Sequence, residues 1–206
     1  MKRDIIQQRI EDKIRHDPRN SIYVLADFYD VGNYEAVKKA LLRLTSAGKL
    51  VRVKRGVYKS PDYSYFLQED VGVSPLDVAE KIARKNRWTI APSGNTALNA
   101  LGLSTQVPAE YHFVSSGTNK EVELGGIKLY FKHAPPKEIA GISAKSALII
   151  EAIKALGRDG MSDAVRAKIA GVLSPAEKGR LARESRTSRV WVAEEVRKIL
   201  AVECTR

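Results

Sequence analysis

Tyr34 and Lys38 stand four residues apart, as do Lys39 and Arg43, and Arg52, Lys54 and Arg55 follow soon after. Lysine and arginine offer N–H donors and a lasting positive charge, but no acceptor. Gathered on one side of an element, they can neutralise phosphates or donate to guanine O6 and N7. Tyrosine adds a hydroxyl and a flat ring face. The chemistry on offer is recognition of a polyanion. Two plainer readings compete with it: a solvated cationic helix face, and a strand edge whose lysines and arginines deter pairing with other chains. The elements that carry these residues must decide.

Ile5, Ile6, Ile10 and Ile14 predict a helix over residues 4–15, and Asp17-Pro18 ends it because the residue before proline is driven out of helical conformation. SIYVLADFYDVG predicts a strand-like entry and one or two helical turns stopping at Gly32. Asn33 suits the N-cap of a helix over 34–47 with Val37, Ala40, Leu41 and Leu44 inward, and Gly48 stands where a left-handed closing residue belongs. The apolar period then changes to two. GKLVRVKRGVYK holds five cations in twelve residues, with Leu50 or Val51 and Val53 inward and Arg52, Lys54 and Arg55 at or near a hairpin tip. Ser60-Pro61 stops the second strand. This order of helices and hairpin predicts a winged helix-turn-helix domain. Its second motif helix would enter a major groove, and its hairpin would follow the backbone or a minor groove.

SPDYSYFLQEDVGVSP reads as a linker with docking aromatics, Tyr63, Tyr65 and Phe66. Ser74-Pro75 with Asp77 then opens a helix to Asn86, with Val78, Ala79, Ile82 and Ala83 inward. A short strand over 88–91, a helix in NTALNALG, and strands in YHFVSS, EVEL and IKLYFKH follow, the last two flanking a Gly125-Gly126 turn. From Ser143 the pattern is helical, with starts at Ser143, Ser162, Ser174 and about Ser188. The expected class is α+β. A winged helix-turn-helix domain occupies residues 1–66, and a mixed α/β domain with a helical part over 143–206 occupies residues 67–206.

The formal charge is +11, and residues 1–61 hold 14 Lys and Arg against 7 Asp and Glu. The basic excess is thus concentrated where the candidate donors lie, as a phosphate-binding or anionic-surface partner requires. No stretch approaches a membrane span, and MKRDIIQQRIEDK lacks the apolar core of a signal peptide. The single Cys204 excludes a disulfide framework within the chain, so a cytoplasmic setting is expected. Enzymatic readings find little footing. His16, His112 and His133 have no metal-ligand spacing, and Ser93-Gly94 and Gly125-Gly126 lack the Lys-Ser/Thr of a phosphate loop. Glu121 and Glu123 share one side of a strand beside Lys120, without a paired-aspartate motif. Neither catalysis nor a cofactor or metal is expected. Arg180, Arg183, Arg186 and Arg189 form a second basic cluster that could widen a DNA footprint, face an acidic partner, or be solvated.

NYEAVKKALLRLTSAGKLVRVKRGVYKSP resembles the winged-helix regulator domain of AbiEi-type antitoxins. WTIAPSGNTALNALGLSTQVPAEYHFVSSG, with LGGIKLYFKHAP after it, looks like the start of the second domain in that group. The likeness covers roughly residues 5–156, and the tail RTSRVWVAEEVRKIL matches least. The resemblance implies a transcriptional regulator that binds the operator of its own operon as double-stranded DNA. It also implies an antitoxin that neutralises a nucleotidyltransferase-like toxin encoded next door, without needing a stable complex. Carried over by position, the operator contacts are Tyr34, Lys38, Lys39 and Arg43, with Arg52, Lys54 and Arg55 on the wing. The alternative is a stand-alone winged-helix regulator or protein-interaction module with no toxin partner.

Overall fold

The structure, a computed structural model, describes residues 2–17, 21–60, 63–64, 69–70, 74–124 and 127–202. Pro18, Pro61, Tyr65, Phe66, the Gly125-Gly126 turn and Cys204 lie outside the described residues. The architecture mixes helices with small sheets, consistent with the α+β class, and the chain divides into two compact units, Met1–Asn86 and Arg87–Arg206.

In the first unit, α1 (Lys2–His16) precedes β1 (Ile22–Val24), a 3-10 turn (Leu25–Phe28) and α2 (Tyr34–Ser46). The hairpin β2 (Val51–Lys54) and β3 (Val57–Lys59) follows, then the short pair β4 (Tyr63–Ser64) and β5 (Glu69–Asp70), and α3 (Pro75–Asn86). Ile10, Phe28, Val37, Leu41, Leu44 and Leu50 make a buried cluster, and Ile6 and Ile14 pack against it. Ile5 does not join the stripe and is 48% exposed. At 100° per residue it falls off the line through positions 6, 10 and 14.

β1, β3 and β2 form an antiparallel sheet with β3 in the middle. Every residue of β1 and β3 is buried. Side chains alternate across a strand, so Tyr23 and Tyr58 enter the cluster with α1 and α2 while Ile22, Val24 and Val57 face the other way. α3 runs along β1 there, burying Val78, Ala79, Ile82 and Ala83. A strand apolar on both faces needs a cover on both. This is why α3 belongs to the first unit, although the composition of residues 61–74 suggests a boundary before it.

The second unit contains β6 (Ile90–Ser93), α4 (Gly94–Ala100), β7 (Glu110–Ser115), β8 (Lys120–Leu124), β9 (Ile127–His133) and a short α5 (Pro136–Ile139). Its sheet runs β6-β7-β9-β8, with β7 and β9 parallel and the other pairs antiparallel. Phe113, Val122, Leu129 and Phe131 are buried, while Glu110, His112, Glu121 and Glu123 are exposed.

Four helices complete the unit: α6 (Ala144–Leu156), α7 (Asp163–Gly171), α8 (Pro175–Glu184) and α9 (Val190–Ala201). Ser143, Ser162 and Ser174 cap the first three, the last with Glu177 in a capping box. The fourth opens at Arg189 without a side-chain cap, and Val190 is 74% exposed. Ala97 and Leu101 share one core with Ile149, Ile153, Ile169, Leu181, Val196 and Ile199, so the helical tail has no separate core.

Candidate nucleic-acid interface

Both ends of α2 are closed by local chemistry. Asn33 Oδ1 accepts from the Ala36 amide at 3.0 Å. At the far end the Gly48 amide donates to Thr45 O at 3.1 Å and the Lys49 amide to Leu44 O at 2.9 Å. That pair of bonds is a Schellman closure, and Gly48 supplies its positive φ of 70°. With Val37, Ala40, Leu41 and Leu44 buried, Tyr34, Lys39 and Arg43 are left exposed. Arg43 Nε donates to Lys39 O at 3.3 Å, laying the guanidinium along the helix. Lys38 differs from its neighbours. It is half-buried, 3.6 Å from Glu35 Oε1 and 5.6 Å from the centre of the Tyr34 ring.

The hairpin departs from strict alternation. Arg52 pairs with Tyr58 and Lys54 with Val57, so Val53 is an extra residue in β2 and makes a bulge. Consequently Val51 and Arg52 are both exposed, and Val53 and Lys54 are both half-buried. Leu50, not Val51, enters the core. Arg55, exposed, and Gly56 form the turn. Gly56 has φ 78° and is buried: a Cβ there would lie 2.8 Å from Lys85 Nζ and 3.3 Å from Leu25 Cδ1. The turn thus rests on the body of the unit rather than projecting from it.

Tyr58 joins the two elements. Burial pushes its hydroxyl pKa up, the Arg52 charge opposes that rise, and Tyr34 adds to it. Tyr34 at the start of α2 and Arg52 on β2 therefore stand within electrostatic reach of the same buried phenol. Among the described residues, Lys39, Arg43, Arg52, Lys54 and Arg55 have no carboxylate at ion-pair distance, whereas Lys38 has Glu35. The other basic residues of the unit are more often engaged. Lys13 pairs with Asp30 at 3.1 Å, Lys49 with Glu11 at 2.7 Å, and Lys81 and Arg84 with Asp27. Among the described residues of the unit, the cations without a carboxylate partner lie mostly on α2 and the hairpin, with Arg9 and Lys85 besides. Two residues beside these cations, Tyr58 and Lys85, do not stand out until the strands and α3 are in place.

The structure describes two other groups of polar residues in the second unit. Arg180, Arg183, Arg186 and Arg189 are all exposed, and Arg186 and Arg197 border a groove of about 400 Å³ over Val190, Val196 and Leu200. His112 stacks on Tyr130 at 5.0 Å and lies 3.7 Å from Glu110 Oε2. No group of three metal-ligating side chains occurs among the described residues, and no described helix is long and apolar enough to cross a membrane.

A family model described as a family of unknown function (DUF6088) matches residues 9–181. The chain belongs to that family. The DUF6088 match takes in α2, the hairpin, α3 and the whole four-stranded sheet, and it stops inside α8. No curated protein matches the chain.

Proposed function

We propose that this chain is a DNA-binding transcriptional regulator, with its amino-terminal unit acting as a winged helix-turn-helix. α2 is the recognition helix and β2–β3 the wing. The observation that carries this reading is the set of cations without carboxylate partners, Lys39, Arg43, Arg52, Lys54 and Arg55, spread over the two elements that Tyr58 connects. Tyr34 and Lys38 complete the surface. A helix with exposed donors near its start suits base edges in a major groove, and arginines on an adjacent hairpin suit phosphates or a narrow minor groove.

The chain represses its own operon and serves as the antitoxin to a nucleotidyltransferase-like toxin. This half of the proposal draws on the resemblance of residues 88–117 and 124–135 to the second domain of AbiEi-type antitoxins. It acts by binding in the cytoplasm, without catalysis or a cofactor.

The test is fluorescence anisotropy of duplexes tiled across the upstream region of the gene. Each of the six cations that reaches a phosphate contributes about −0.9 to the slope of log K against log salt, so a slope of roughly −5 is the ceiling expected. Binding that ignores salt, or no binding to any upstream duplex, defeats the regulator reading. The antitoxin half is tested by co-expressing the neighbouring gene: growth arrest that the full chain fails to relieve defeats it.

A further inference from the structure

α3 carries three cations in its last two turns, Lys81, Arg84 and Lys85. Lys81 Nζ lies 3.7 Å from Asp27 Oδ2, and Arg84 pairs with the other oxygen of the same carboxylate. Asp27 is nearly buried and its Oδ2 also accepts from the Val24 amide at 2.9 Å, so its carboxylate is occupied by Lys81, Arg84 and Val24 of its own unit. Lys85 takes a different course. It has no ion-pair partner among the described residues, and its ammonium lies against the Arg55-Gly56 turn, over the face where Gly56 lacks a side chain. A position at the carboxy-terminal end of a helix is favourable for any lysine, but that alone does not direct the ammonium to the hairpin rather than to solvent or Asp27.

The consequence is a third source of charge at the same place. The hairpin turn presents exposed Arg55, and the Lys85 ammonium stands beside it, on a residue that is itself exposed. Glycine at position 56 serves both the φ of 78° and this approach, since a methyl there would press on the ammonium. Arg55 on the turn and Lys85 against Gly56 add their positive charges to one part of the surface, which favours an anion there. A phosphate oxygen is the anion that the proposed interface brings to this spot.

We infer that Lys85 is a phosphate-contacting residue, and that the end of α3 is a third arm of the DNA surface beside α2 and the hairpin. The inference rests on the DNA-binding reading and adds to it a contact outside the helix-plus-hairpin pair.

The test uses the full chain and the upstream duplex in anisotropy titrations at several salt concentrations. Lys85→Gln removes the charge and shortens the side chain by one bond, keeping a polar end near Gly56. It is expected to lower the salt slope by about 0.9 and to weaken binding to all sequences by a similar factor. Lys85→Arg keeps the slope, and Arg9→Gln, the same charge loss on α1, leaves it unchanged. Thermal melts check that all three variants are folded. Wild-type binding with a slope identical in Lys85→Gln overturns the inference and leaves the regulator reading intact. A slope that falls equally in Arg9→Gln also overturns it, since the effect is then one of net charge. Absence of wild-type binding defeats the regulator reading itself, and Lys85 with it.

Discussion

Lys38 reaches back one helical turn to Tyr34, its ammonium 5.6 Å from the ring centre, and on the way it meets Glu35 at 3.6 Å. The first turn of α2 therefore holds a preassembled group of ring, cation and carboxylate rather than a free lysine. Among the seven expected contacts, Lys38 is the one whose charge is already partly spent.

Glu35→Gln should tighten DNA binding, because it releases Lys38 and removes a negative charge from a surface that meets phosphates. An exposed ion pair is worth about 0–1 kcal/mol, so the gain should be no more than about five-fold at low salt and should shrink as salt rises. Competitive anisotropy reads it. Weaker binding would instead give Glu35 a favourable contact, such as accepting from cytosine N4.

Lys39→Ala with Arg43→Ala should cost more than Lys38→Ala, since neither residue has a carboxylate to leave behind. The salt slope should fall by about 1.8 and the affinity by at least about ten-fold. Circular dichroism should show an unchanged helix content, because both side chains are exposed. An unaltered slope would place α2 outside the interface.

Glu195 should make stability depend on acid pH. Burial works to raise its pKa, but Lys198 Nζ at 2.7 Å and Arg166 at 2.8–2.9 Å hold it below the ordinary carboxylate value of 4.5. A carboxyl with a depressed folded pKa stabilises above its unfolded value, and that contribution disappears as pH falls through the folded value. Tm should therefore be level from pH 7 to about 5 and fall below about 4.5. Glu195→Gln should melt on the order of 5 °C lower at pH 7 and lose less on acidification. Equal acid losses in both proteins would show that this carboxylate is not coupled to folding.

Gly117→Ala should destabilise the second unit. The Trp88 indole lies directly against Gly117, packs edge-on to Phe131 at 6.0 Å and carries Lys120 Nζ 5.4 Å from its ring centre. A methyl at 117 must push this ring away, a cost of about 1–3 kcal/mol. Urea unfolding followed by tryptophan fluorescence measures it, and DNA affinity of the folded variant should be unchanged. A wild-type midpoint would mean that the indole can move freely.

The limits of α2 and the capped helices of the second unit were legible in the sequence because they depend on neighbours in the chain. Asn33 needs only the amide of Ala36, Gly48 only its own φ and nearby carbonyls, and Ser174 only Glu177. The inward stripe of α2 follows from helical period alone, and so does the exposure of Lys39 and Arg43, but not the half-burial of Lys38 against Tyr34 and Glu35. Other features needed the tertiary structure. Strict alternation cannot foresee the Val53 bulge, which is a property of the pairing of β2 with β3. Ile5 and Val190 are apolar and near the right spacing, yet they miss the core by a fraction of a turn. Asp27 recruits Lys81 and Arg84 from more than fifty residues away, and Lys85 is left to the hairpin turn. Local hydrogen bonds set where each element starts and stops. Which charges are neutralised and which stay free depends on distances between elements, and only the packing of α1, α2, α3 and the sheet decides those.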